Sequence, residues 1–450
     1  MALNPDEMNR RRERREAQRR QQEKERKRLK LTLIAACVVL ALSAFAIVSI
    51  ARGAAQAKQE TLSASVPETE NTTAAPETTA ATASSKRSEP ANTVIHLRAA
   101  GDLNVTNAVI QSGLAVNGYD FTDALLDVAA ELSCGDVTVL NLEGNICGEP
   151  YGTDTTSAPR ELATALKNMG VDLVQMANTY TVKNGIIGLT QTLQQLRSAG
   201  IEPLGAYASN QDFKTTKGYT ICNVGGIKVA FVAFTKGLGG MGLPAGNENC
   251  VNLLYTDYND VYNKVDTKGI TAILDNVAAE KPDVTVAMLH WGSENSENIT
   301  TQQERIITLL QKKGVNVIIG SHPHLLQKIT FNQSAGTLVA YSLGDLIGDA
   351  THAGTNYSII LDVEITKYAD SGTTKVTAFS YVPIYTVKSS ECVAIRQEDA
   401  RRVFRIREAM SAYEGNYVDR VTADAYAGMQ KALTRIEERI QGKSQETKKS

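Results

Sequence analysis

The sequence predicts an α/β domain preceded by a transmembrane helix and a disordered stalk, and three observations predict it. Short, near-continuous apolar runs ending in Gly, Asn, Asp or His alternate with amphipathic helical patterns from Val94 onward. An uncharged apolar stretch follows a basic N-terminus, and a segment poor in large apolar residues separates it from the first of those runs.

Residues 1–30 form a basic tail whose charge run shows no apolar face. Residues 1–52 hold 13 Lys and Arg against 6 Asp and Glu, a surplus of 7, while the whole chain carries −2, leaving −9 for the remainder. That acidic balance argues against nucleic acid as a partner, because phosphate contacts need a basic surface. Residues 31–51, "LTLIAACVVLALSAFAIVSIA", contain no charge and match the roughly 20 residues of a bilayer-crossing helix. The stretch exceeds the apolar core of a signal peptide, about 7–15 residues, which favours an uncleaved signal anchor. Basic residues ahead of it predict a cytoplasmic N-terminus and an extracellular C-terminal bulk. Residues 53–93, rich in Ala, Ser, Thr, Glu and Pro, cannot bury enough surface to fold and read as a disordered linker.

The domain itself is expected over residues 94–392. "VIHLRAAGD", "DVTVLNLEG", "VDLVQMAN", "IKVAFVAFTKG", "PDVTVAMLHWG" and "VNVIIGSHPH" read as buried strands. "APRELATALKNMG", "GLTQTLQQLRSAG" and "TTQQERIITLLQKKG" place apolar residues at three- and four-residue spacing and stop at Gly170, Gly200 and Gly314. "TLVAYSLGD", "NYSIILDVEIT" and "TKVTAFSYVPIYTV" follow without helices between them, which suits antiparallel strands or a second sheet. Residues 393–442 read as charged surface helices and 443–450 as a disordered tail. Beyond the span lie five cysteines, of which Cys134 and Cys147 flank a strand. Roughly 30 Å of extended chain between those two excludes a disulfide joining them.

In such sheets ligands gather beyond the carboxyl ends of the strands. The residues closing the apolar runs are Asp102, Asn141, Glu143, Asn178, His290, Glu294, His322, His324 and Asp345. The chain has only five histidines, and two of them sit one residue apart across Pro323 in "GSHPHLLQ". Imidazoles and carboxylates from separate strand ends suit a Zn, Mn or Fe site. No thiolate stands at these ends, which argues against a structural zinc cage.

"AAGDLN", "VLNLEGNI", "HWGSE", "GSHPHLLQ" and "YSLGD" occur in an order and spacing that resembles the CapA family, over roughly Val94 to Val387. These are membrane-anchored proteins of capsule and poly-γ-glutamate synthesis whose domain is similar to calcineurin-like metallophosphoesterases. The resemblance implies a four-layer α/β/β/α sandwich of metallophosphoesterase type with one or two divalent ions. It implies Asp102, Glu143, His290, His322 and His324 as their ligands. Where the family has an Asn-Asn-His run and then an Asp, this chain reads "ANTYTVKNG", with Thr179 for the ligand Asn, Tyr180 for the His and Lys183 for the Asp. The resemblance thus gives Tyr180 the place of a proton donor and Lys183 that of a charge facing an anionic substrate. Asp345 stands where the family usually has Asn, as an added ligand or base.

Three functions compete. One is a CapA-like protein acting on a poly-γ-glutamate-like or other anionic surface polymer, with Lys183 and Arg160 supplying positive charge. The second is a degenerate module of the same fold that binds a polymer or a synthase partner without turnover. The third is a surface metallophosphoesterase, weakened by the missing imidazole, whose removal costs about 10²–10⁴-fold.

Overall fold

The computed structural model describes residues 91–395, 397–417 and 421–442. The expected basic tail, membrane span and most of the stalk lie outside these residues, as does the tail from residue 443. No helix among the described residues is long and apolar enough to cross a membrane.

The chain alternates strands and helices through its first half. β1 (Thr93–Asn104), α1 (Asn107–Ser112), a short hairpin of β2 (Leu114–Ala115) and β3 (Gly118–Tyr119), α2 (Thr122–Ser133) and β4 (Val137–Glu143) come first. Then follow α3 (Glu161–Asn168), β5 (Leu173–Gln175), α4 (Gly185–Ser198), β6 (Glu202–Leu204) and α5 (Asn210–Thr216). The hairpin of β7 (Thr220–Val224) and β8 (Ile227–Thr235) leads to α6 (Thr267–Ala279), β9 (Val284–His290), α7 (Thr301–Lys312) and β10 (Val317–Ser321). Six further strands are β11 (Ile329–Asn332), β12 (Thr337–Ala340), β13 (Asp345–Ile347), β14 (Tyr357–Lys367), β15 (Thr374–Lys388) and β16 (Arg401–Arg405). The chain closes with α8 (Ile406–Glu414) and α9 (Ala423–Ile440).

Two mixed sheets result. One runs β16-β15-β14-β1-β4-β5-β6 with β13 beside β1, and the other β11-β12-β10-β9-β8-β7. β1, β4, β5 and β6 are parallel, as are β8, β9, β10 and β12. The second sheet's strands alternate between two cores, as a pleat with both faces covered requires. Val286 and Met288 of β9, with Val317 and Ile319 of β10, pack toward the first sheet's core. Ala287, Leu289 and Ile318 pack with Ile270, Leu274 and Val277 of α6 and Ile306 and Leu310 of α7. α7 starts where a capping box predicts: the Thr300 side chain accepts from the Gln303 N–H, and the Gln303 side chain reaches back to the Thr300 N–H.

β14 and β15 are antiparallel, one of the two arrangements expected, and extend the first sheet beside β1, while β12 belongs to the second sheet. One expectation changes. The segment read as helical after Gln397 begins instead with β16, antiparallel to β15. Its arginines suit a strand because partners wait on α2: Arg402 Nη2 lies 2.8 Å from Asp127 and Arg405 Nη1 3.1 Å from Glu131. Those partners are distant in sequence, so local charge pattern alone favoured a helix.

The strand ends meet under tight packing. A Cβ on Gly320 would stand 1.9 Å from the Tyr341 carbonyl oxygen and 2.5 Å from the Trp291 indole nitrogen. Gly320→Ala is expected to cost about 1–3 kcal/mol in urea unfolding. Gly242→Ala, whose Cβ meets nothing within 4 Å, should leave the midpoint nearly unchanged.

Candidate metal centre

The site is built around the turn that follows β10. β10 delivers Ser321 beside His290 of β9, and the chain then turns through His322, Pro323 and His324. Both histidines have positive φ, 89° and 58°, a region that bulky L-residues avoid and that persists only where surrounding contacts over-determine it. Those contacts are present. The His322 N–H donates to Asp102 Oδ2 at 3.0 Å, the Asn295 N–H to the Pro323 carbonyl at 3.0 Å, and His324 Nδ1 lies 2.9 Å from Asp345 Oδ1. The turn thereby gathers three rings: His290 and His322 have centroids 4.6 Å apart, His322 and His324 6.2 Å.

Carboxylates from the other sheet face these rings. Asp102, on β1, and Glu143, the last residue of β4, are 0% and 2% exposed. A chain of amides orients Asp102: Asn178 Nδ2 donates to Asn141 Oδ1 at 3.2 Å, and Asn141 Nδ2 donates to Asp102 Oδ1 at 2.7 Å. Burial, with Glu143 and Asp345 nearby, pushes the Asp102 carboxyl up to about 8. Burial pushes Glu143 the same way, but the His290 and His324 imidazoles outweigh it and hold its carboxyl well below the usual range. Its Oε1 lies 3.4 Å from His290 Nε2 and its Oε2 3.8 Å from His324 Nε2. Burial and His290 hold His322 well below its ordinary value, so that ring is a neutral donor.

These side chains fall into two donor groups, Glu143–His290–His322 and Asp102–Glu143–His324, each with its ligand atoms within 4.8 Å of one another. Glu143 belongs to both. Two buried atoms in the groups, Glu143 Oε2 and His322 Nδ1, have no hydrogen-bond partner. Burying polar atoms without partners is costly, and a divalent ion would satisfy both. The residues fit a metal.

The remaining expected residues divide. Asp345 and Tyr180 line a cavity of about 190 Å³ together with Glu143 and His324. Burial and the nearby Glu143 and Glu294 push the Tyr180 phenol above its ordinary value, keeping it protonated. Thr179 Oγ1 stands 2.8 Å from His290 Nε2. Lys183 is exposed and outside the cavity lining, and Arg160 is exposed at the start of α3 beside Glu161. Sequence reasoning missed Ser321, whose Oγ lies 3.1 Å from His290 Nδ1 and sets the ring's orientation. It also missed Asn104 and Asp349 on the cavity wall. Ser321 and Asn104 sit inside quoted motifs; no signal marked Asp349.

A family model described as bacterial capsule synthesis protein PGA_cap matches residues 96–350, more than half of the chain. The chain belongs to this family. The PGA_cap span encloses every donor from Asp102 to His324, and Asp345 as well. The capsule biosynthesis protein CapA of Bacillus anthracis is 27% identical over 249 residues, 55% of this chain and 56% of that protein. The PGA biosynthesis protein CapA of Bacillus subtilis is 26% identical over 208 residues, 46% of this chain and 50% of that one. The chain thus spans about half the length of the curated relatives it matches. Among solved structures, the calcineurin-like phosphoesterase YfkN of Bacillus subtilis covers 65% of this chain and 91% of its own, at 15% identity and a TM-score of 0.39. A score of that size bears no weight on function.

In this PGA_cap member Thr179 and Tyr180 stand at the edge of the first donor group. The double replacement Thr179→Asn, Tyr180→His should tighten divalent-ion binding by at least the roughly 10–100-fold that a lost supporting partner costs such sites. Competition with a fluorescent chelator measures it.

Proposed function

We propose that this chain is a membrane-anchored, extracytoplasmic CapA-like protein of capsule or poly-γ-glutamate biosynthesis with a metal-binding, hydrolase-like site. Its domain would be a four-layer α/β/β/α sandwich of metallophosphoesterase type holding one or two Mn, Zn or Fe ions. The observation that carries the reading is Glu143, shared between two donor groups and left with an unpaired buried oxygen. Family membership supports a polymer-related role. The acidic surface-polymer substrate, a synthase partner and the membrane anchor are part of the proposal.

Bound ions would polarise a carbonyl or phosphoryl oxygen and supply hydroxide at neutral pH. The chain's own groups then have separate tasks. Asp102 and Glu143 with His290, His322 and His324 would hold the ions, and Ser321 and the Asn178–Asn141 relay orient two of these side chains. The protonated Tyr180 phenol stands in the cavity as a hydrogen-bond donor. Its mismatch with neutral pH makes it a weak general acid. That same feature, with Thr179 against His290 at 2.8 Å, favours a second reading in which the fold binds polymer or partner without turnover.

Metal analysis of the full-length protein in detergent should find one or two divalent ions per chain. His322→Ala should lose most of them while its circular dichroism stays near that of the parent. Normal metal uptake by that variant would refute the ligand assignment. Orientation is checked at Cys134, an exposed free thiol. A membrane-impermeant maleimide should label it on intact cells, and labelling only after lysis would place the domain on the wrong side.

A further inference from the structure

The cavity is lined by four carboxylates, Glu143, Glu294, Asp345 and Asp349, and two imidazoles, His324 and His352, with no Lys or Arg among its lining residues. The cations expected to meet a polyanion are elsewhere, Lys183 and Arg160 both being exposed outside it. Depth sorts the acids. Glu143 and Asp345 are 2% and 5% exposed, whereas Glu294 is exposed and Asp349 half-buried. The floor, where Glu143 Oε2 lacks a partner, belongs to the donor groups; the rim is acidic.

The loops that carry the rim acids are tied down. Around Glu294, Lys236 Nζ donates to the Gly292 carbonyl at 2.7 Å, the Asn295 N–H to Pro323 at 3.0 Å, and Gln327 Nε2 to the Ser296 carbonyl at 2.9 Å. Arg439 of α9 pairs with Glu297 on the same loop. Asp349 Oδ1 accepts from the Thr351 N–H at 3.2 Å and hydroxyl at 3.1 Å. The neighbouring cations, Lys236 facing Glu294 and Arg401 facing Asp349, lie outside the cavity lining and bond to other groups. Lys236 also lies 4.6 Å over the Tyr262 ring, and Arg401 donates to the carbonyls of Asp349, Asp399 and Ala400.

A floor whose bound ions would attract a ligand oxygen, beneath a rim lined by carboxylates, matches a dipolar ligand. We infer that the cavity takes a ligand bearing an ammonium group outward of the oxygen it presents to the donor groups, and that Glu294 and Asp349 select it. The floor's polarity rests on the metal reading above; the rim's does not. A run of anionic repeats would set its carboxylates against like charge. An anionic polymer therefore enters by an amino end, or the ligand is a small amine. Exposed ion pairs of this kind are worth about two- to fivefold in affinity each.

The test uses full-length protein in detergent with Mn²⁺, its metal content measured first. Calorimetry compares tri-γ-glutamate with its N-acetyl form, and ethanolamine phosphate with ethyl phosphate. The amine member of at least one pair should bind about fourfold or more tightly. Preference in the first pair identifies a polymer amino end, and preference confined to the second a small amine. The double variant Glu294→Gln, Asp349→Asn should abolish the preference with metal content unchanged. Equal binding within both pairs, no binding of any probe, or a preference that survives in the double variant overturns the inference. Should the protein take up no metal, the metal reading falls by itself. The same comparison on metal-free protein then still decides the rim: a preference lost in the double variant sustains it, and no preference overturns it.

Discussion

A carboxylate at the end of a central strand, 2% exposed and with one oxygen unbonded, is the constraint around which this structure is arranged. Burying such a charge costs several kcal/mol unless something positive or hydrogen-donating faces it. Glu143 is faced from the opposite sheet by His290 and His324. The parallel runs of the two sheets end on the same side, and that brings acid and imidazole together from distant parts of the chain. The positive φ angles at His322 and His324 are the local expense of aiming both rings there. Asp102, bonded to the His322 N–H and pushed up by burial, completes a cluster whose oxygens and nitrogens are better served by a cation than by one another.

Much of this was legible in the sequence, for a physical reason. Strand-end positions in parallel sheets are the only places where a buried apolar run can hand a polar side chain to a shared crevice. The Asp, Glu and His residues closing such runs therefore announced the site before any contact was known. What was not legible depends on partners far away. Arg401–Arg405 looks helical in isolation and becomes a strand because β15 offers an edge and α2 offers Asp127 and Glu131. Lys183 sits near the site in sequence, yet it lies exposed just before α4 and outside the cavity wall. Asp349 reaches that wall from a loop beyond β13 that carries no periodic signal.

The split between floor and rim follows from the same geometry. Residues on strand ends are held by the sheets and face inward, where only metal-like or hydrogen-bonding partners are tolerated. Residues on the loops beyond them, the exposed Glu294 and the half-buried Asp349, set what can approach. Loop acids add little stability, since exposed charges interact weakly, but they bias which ligand reaches a centre whose donors they do not touch.

Asn178 shows why Thr179 cannot be treated as a one-residue misalignment of the expected ligand Asn. β5 ends at Gln175, so strand alternation no longer governs which way residue 178 points. An Asx turn governs it: Asn178 Oδ1 accepts from the Tyr180 N–H at 3.0 Å. Its Nδ2 is committed to the Leu142 carbonyl at 2.6 Å and to Asn141 at 3.2 Å, and its N–H to Thr181 Oγ1 at 2.9 Å. Turning the amide toward His290 would break side-chain bonds worth about 1 kcal/mol each and leave buried groups unpaired, which costs more. It would also release Asn141 from its place in the relay to Asp102. The amide that could have been a ligand is thus already spent on orienting one, and the hydroxyl of Thr179 takes the position against His290.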